Sequence, residues 1–324
     1  MNWLMRITRL LRVNIRGENH SAEPTLTWPK WLKTSWWLLT GTVFAVMAFV
    51  FWQNRETLLN VFRTAHYEYF FWAFVVYTVA VGIVALGWHL IMHDLGGQSK
   101  LLLNVKVYVY ALAARRLPGT LWYVAGRSVL YQRLGVSGRI AALASGVEVV
   151  LSIVSGIMVG ALAMFTLAGT SSVSVLLLGL VELVGLTLLH PKILCRLLAC
   201  LGHQISPGKL TITQVLSWLG AYIIMWIGGG LVAYLITLAL YPIEGDQIPL
   251  VTSSWSLAGV IAFTTFLLPS SLGASELAFS FMLSYIVPFP IAVAASILIR
   301  ILTTIFDIIL SSLYLLETNF AIST

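Results

Sequence analysis

Arg127, Glu148, Glu276 and Arg300 each interrupt an apolar run, and their order along the chain is base then acid, followed by acid then base. An ionisable side chain in hydrocarbon costs several kcal/mol unless it meets an opposite charge or water, so these four are functional candidates. Arg127 lies nine residues past Pro118 and Glu148 thirty past it, while Glu276 lies seven past Pro269 and Arg300 thirty-one past. The spacing is compatible with pairing within each stretch and equally with pairing across, Arg127 to Glu276 and Glu148 to Arg300. Glu182 and Asp307 add two acids, and Arg115 and Arg116 add two bases beside Leu117-Pro118-Gly119. Two guanidinium groups next to a broken helix suit a phosphate or another anionic headgroup, which Arg grips in a bidentate fashion. The alternative is a shallow break from which both arginines snorkel to the interface. Glu148, Glu182 and Asp307 are candidate proton carriers, because a carboxyl in hydrocarbon can pass between neutral acid and paired carboxylate.

Other conspicuous residues carry less chemistry. His89 and His93, four apart with Asp94 adjacent, could hold a metal or relay a proton, yet no further ligand stands at a useful spacing. Cys195 and Cys200 match neither a metal motif nor a disulfide framework. No strand precedes Gly228-Gly229-Gly230, so that run reads as a site of close helix packing rather than phosphate binding. No nucleotide loop, catalytic triad or thiol nucleophile is recognisable, and the expectation is a protein that is not an enzyme and needs no metal or cofactor.

The elements that must position these residues follow from composition. Of 324 residues, 59% are hydrophobic and 10% charged, which excludes an ordinary soluble domain and points to an all-α integral membrane protein. Six stretches reach the roughly 20 apolar residues of a span: 35 to 53, 69 to 92, 140 to 167, 174 to 190, 211 to 240 and 291 to 316. Two further stretches, 102 to 132 and 251 to 288, are broken by Pro118 with Gly119 and by Pro269 with Gly273, so each reads as a hairpin of two short helices. The first is too short for two crossings and reads as re-entrant; for the second, two full helices are the alternative. Residues 1 to 34 read as a basic amphipathic segment on the membrane surface, with Trp3, Leu4, Ile7 and Leu10 on one side and Arg6, Arg9 and Arg12 on the other. Lys and Arg concentrate in that segment and in 93 to 106, 133 to 139 and 191 to 209, which places both termini, including the tail 317 to 324, in the cytoplasm. The net charge of +7 is then a topology signal rather than a nucleic-acid groove. Trp28, Trp31, Trp36, Trp37, Trp52 and Trp72 read as interface anchors.

The order helix, helix, hairpin, helix occurs in 35 to 167 and again in 174 to 316. Three crossings separate equivalent points, so the second unit is an inverted repeat of the first. Setting Pro118 against Pro269 aligns Leu121 with Leu272, Ile140-Ala141 with Ile291-Ala292 and Ala144-Ser145 with Ala295-Ser296.

Two blocks resemble those of a known family: Leu117-Pro118-Gly119 followed by Arg127, Leu134-Gly135-Val136-Ser137 and Glu148, and Pro269-Ser270-Ser271-Leu272-Gly273-Ala274-Ser275-Glu276 followed by Arg300. Over about residues 35 to 317 the chain resembles the lysylphosphatidylglycerol synthase transmembrane family, the flippase portion of the bacterial multiple peptide resistance factor. Val149 stands where family members often have an arginine after the glutamate, and the second block has serines where glycines are usual. The resemblance implies a flippase or scramblase of the cytoplasmic membrane, in a stand-alone form without the soluble aminoacyltransferase. Arg115, Arg116, Arg127, Glu148, Glu276 and Arg300 are then the expected substrate-binding residues. The expected partners are membrane phospholipids with anionic or aminoacylated headgroups, a separate lipid-modifying enzyme and further copies of the chain. The alternative is an accessory protein that presents a lipid-linked substrate to a separate synthase or glycosyltransferase.

Overall fold

The computed structural model of the protein describes residues 45, 48–50, 52–97, 100–114, 121–164, 172–201, 210–264 and 273–321. Eleven α-helices of eight or more residues occur among them: α1 (Arg55–Arg63), α2 (Glu68–Asp94), α3 (Leu101–Ala114), α4 (Leu121–Arg133), α5 (Gly138–Met164), α6 (Ser172–Leu189), α7 (Pro191–Cys200), α8 (Ile212–Leu240), α9 (Ile248–Thr264), α10 (Ala274–Leu283) and α11 (Phe289–Ala321). Four segments, Glu68–Asp94, Gly138–Ala161, Ile212–Leu240 and Phe289–Ser312, are long and apolar enough to cross a membrane. A fifth forms if Gly179–Leu189 and Pro191–Cys200, bent by 73°, count as one span. Pro191 explains the bend, since it has no N–H to continue α6 but is well suited to the first turn of α7. The expected stretch 35 to 53 lies mostly outside the described residues, as does the basic segment before it.

Each stretch expected to form a hairpin contains two helices, separated by residues outside the described ones. Helices α3 and α4 have 14 and 13 residues, and α9 and α10 have 17 and 10. At 1.5 Å per residue none exceeds about 26 Å, below the roughly 30 Å of a hydrocarbon core. Residues 115–120 and 265–272, and with them Arg115, Arg116, Pro118, Gly119 and Pro269, lie outside the described residues. Gly273, just before α10, has φ at +95°, a backbone conformation that L side chains rarely adopt.

Helices α2 and α8 form the centre. They run antiparallel: a Cβ added at Gly87 would stand 2.9 Å from that of Ala221, and one added at Gly228 would stand 2.8 Å from that of Ala80. Glycine at these crossings lets the backbones approach, as expected for the Gly228-Gly229-Gly230 run. One end of the pair is tied by the His66 N–H donating to Ala239 O at 3.0 Å. At the other, buried Asp94 accepts from Gln214 Nε2 at 2.9 Å and from Trp218 Nε1 at 3.0 Å. Gln214 is also the partner of Thr211 in the capping box that starts α8.

Around this pair α5 packs on α9 and α11 on α3, α2 on α3 and α8 on α9, α4 on α5 and α10 on α11. Helix α5 also touches α8 and α2, as α11 touches α2 and α8. Exchanging α2 through α5 with α8 through α11 maps these contacts onto themselves. Two short amphipathic helices complete the set: α1 in the connection before α2, and α7, which buries Leu194 and Leu198 and exposes Lys192 and Arg196.

Candidate functional site

The four candidate charges pair within their own stretches. Arg127 on α4 donates through Nη1 to Glu148 Oε2 on α5, and both side chains are buried. The spacing had left cross-stretch pairing equally open; the α4–α5 contact, joined by the short turn at Leu134–Ser137, brings Arg127 to Glu148 first. Aromatic rings cover the guanidinium: its centre lies 4.0 Å from the Trp88 ring centroid and 4.4 Å from that of Tyr108. A desolvated cation over an aromatic face gains about 2 kcal/mol or more, which offsets part of the cost of removing Arg127 from water.

A chain of hydrogen bonds leads away from this pair. Trp88 Nε1 donates to the Tyr131 hydroxyl at 2.8 Å, Tyr131 donates to Asn104 Oδ1 at 2.7 Å, and Asn104 Nδ2 stands 2.8 Å from His89 Nδ1. An amide nitrogen can only donate, so Asn104 Nδ2 is the donor and His89 Nδ1 accepts. Asn104, Tyr108, Trp88 and Tyr131 were not singled out from sequence. The signal was present: Asn104 and Tyr108 on α3, like Arg127 and Tyr131 on α4, stand four apart and so share a helix face.

The second pair is built differently. Glu276 sits in the first turn of α10, where its Oε2 accepts from the Gly273 N–H at 2.9 Å and from Ser275 Oγ at 2.8 Å. A carboxylate there complements the positive end of the helix dipole. Its Oε1 lies 3.5 Å from Arg300 Nε on α11. Ser296 Oγ on α11 donates to the Glu276 backbone carbonyl at 3.0 Å, fastening the two helices one turn from the ion pair. The Arg300 side chain is 34% exposed, whereas Arg127 is fully buried. Of these two guanidinium groups, Arg300 is the one a ligand can reach without unpacking the protein.

Asp307 on α11 is buried and accepts from the Tyr77 hydroxyl on α2. Glu182 on α6 joins no ion pair, and both its carboxylate oxygens are buried without a hydrogen-bond partner. The sum of four acids against four bases thus does not resolve into four pairs among the described residues. His93 is exposed beside Asp94, with Nδ1 3.1 Å from Oδ1, and no group of three His, Cys, Asp or Glu side chains able to hold a metal occurs among the described residues. Chemically the site offers guanidinium–carboxylate pairs, able to exchange a partner for a phosphate oxygen or an ammonium group.

Compared with known proteins, the chain matches a family model described as "Lysylphosphatidylglycerol synthase TM region" over residues 36–311. No curated relative matches it.

Proposed function

Because the chain belongs to the lysylphosphatidylglycerol synthase TM region family, we propose that it moves a phospholipid or lipid-linked headgroup across the cytoplasmic membrane, as a flippase or scramblase and not as an enzyme. The polar passage lies near the midplane, between the hairpins α3–α4 and α9–α10, and the acyl chains stay in lipid. The observation that carries this reading is the Arg300–Glu276 pair: a partly exposed guanidinium on α11 held against a carboxylate in the first turn of the short helix α10. Arg300 binds the headgroup phosphate, and Glu276, released from it, meets an aminoacyl ammonium where the headgroup carries one. Arg115 and Arg116, which lie outside the described residues, are on this reading further phosphate contacts.

The two halves form an inverted repeat about an axis through the α2–α8 crossing. Support comes from the antiparallel course of α2 and α8 and from the packing contacts that map onto themselves when the halves are exchanged. The hairpins are re-entrant and open to opposite faces. The Asp94 end of the bundle, which also carries Lys192 and Arg196, faces the cytoplasm, as do both termini.

Reconstitution into liposomes with a headgroup-labelled fluorescent phospholipid tests the proposal. Transbilayer movement above that of empty vesicles is expected, with at least a tenfold loss in Arg300→Ala, about the 1.4 kcal/mol or more that one charge-assisted contact supplies. No movement above empty vesicles overturns it, and lipid binding without movement would favour the accessory reading instead.

A further inference from the structure

Among the described residues, Glu182 differs from Glu148, Glu276 and Asp307. Glu148 holds the Arg127 guanidinium, Glu276 holds the Gly273 N–H, Ser275 and Arg300, and Asp307 accepts from Tyr77, whereas neither Glu182 oxygen has a donor. Nor, among the described residues, does a charge stand against it. The helices packed on α6 are α5 and α7. On α5, Arg139 donates to Leu201 O and Glu148 is committed to Arg127. On α7, Lys192, Cys195, Arg196 and Cys200 lie beyond the bend at His190, which is eight residues, or about 12 Å, from Glu182. The flanking side chains Val181, Leu183 and Leu186 are exposed on the outer surface of the bundle, where lipid lies. An ionised carboxylate without donor or cation in such a setting costs several kcal/mol, so the group is present as the neutral acid.

We propose that Glu182 is a proton-binding site, which holds a proton in this conformation and gives it up when α6 moves against α5 and admits water or a cation. This rests on the translocation reading in one respect, since it names the proton as the ion to which lipid movement is coupled. The proton leaves the carboxyl oxygen as H⁺ and returns to the same oxygen, and no other bond changes. Helix α6 packs closely on α5 at Gly185, where a Cβ would collide with Val154, while Leu176, Leu180, Leu183 and Val184 on α6 are exposed.

The test uses the full-length protein in liposomes and dicyclohexylcarbodiimide, an apolar reagent that attacks protonated carboxyls in hydrocarbon. The acid proton passes to a carbodiimide nitrogen, the carboxyl oxygen bonds the central carbon, and an oxygen-to-nitrogen acyl shift leaves a stable N-acylurea with nothing expelled. Peptide mass spectrometry should find the added mass on Glu182. Labelling should fall by about tenfold for each pH unit once the carboxyl ionises. In Glu182→Gln, which keeps the shape of the neutral acid, an imposed proton gradient should no longer bias the distribution of labelled lipid, while lipid equilibration continues. Absence of an adduct at Glu182 overturns the proposal. So does a Glu182→Gln protein that responds to the gradient like the parent, since the acid would then only pack. Labelling needs no transport, so an adduct that titrates in a protein that moves no lipid supports the proton site and sinks the translocation reading alone.

Discussion

At the scale of single residues, the two ion pairs should respond differently to the same substitution. Arg127→Ala strands buried Glu148 without its partner, and the expected loss is about 3–5 kcal/mol, seen as a lower unfolding temperature in detergent. Replacing both members, Arg127→Met with Glu148→Leu, removes the stranded charge and should recover most of that loss. Arg300→Ala should leave the unfolding temperature within a few degrees of the parent, because a partly exposed pair contributes about 1 kcal/mol or less, and should act on lipid movement instead. Equal destabilisation by Arg127→Ala and Arg300→Ala would contradict this division. Sequence located these four charges because charges inside apolar runs are conspicuous. It could not say how they pair, since the choice depends on whether α4 meets α5 or α10, a matter of tertiary packing. Nor did it bring in Trp88 and Tyr108, whose rings are ordinary residues of apolar helices until Arg127 is placed between them.

Between elements, the closest approaches are where glycine matters. A Cβ at Gly230 of α8 would stand 2.5 Å from the Thr252 Cα, a backbone atom of α9 that cannot swing aside. Gly230→Ala should therefore push α8 from α9 at a cost of about 1–3 kcal/mol. Gly220→Ala in the same helix meets nothing within 4 Å and should be neutral or stabilising by up to about 1 kcal/mol through helix propensity alone. Comparing the two unfolding temperatures checks the point, and similar shifts would refute it. The long apolar helices α2, α5, α8 and α11 were legible from hydropathy. The amphipathic helices α1 and α7 were not separated from the loops around them, because each is ten residues or shorter and draws its stability from a few contacts, such as buried Leu58 in α1 and Leu194 and Leu198 in α7.

Across the whole molecule, the proposed sidedness can be read from a native residue. Cys200 is a free, exposed thiol at the end of α7, on the Lys192 side of the bundle. A membrane-impermeant maleimide should label it in inside-out vesicles and not in intact cells, and a Glu244→Cys variant, in the connection between α8 and α9, should show the reverse. Labelling of both from one side would contradict the inverted arrangement. The inversion was suggested in sequence by element order and by a handful of aligned residues. Its physical support is geometric: a central helix pair that runs antiparallel, with each flanking contact of one half answered by its counterpart in the other.

That exchange of contacts bears on how such a chain could arise and be divided. In this bundle α5 leans on α9 and α3 on α11, so neither half finishes its packing alone; each supplies the surface the other lacks. Two copies of one half, inserted in opposite directions, would meet across the α2–α8 crossing in the same way, as a dual-topology dimer joined later by gene fusion. Cutting the chain between α5 and α6 and co-expressing the two pieces should therefore return an assembled, lipid-active protein, whereas either piece expressed alone should be degraded.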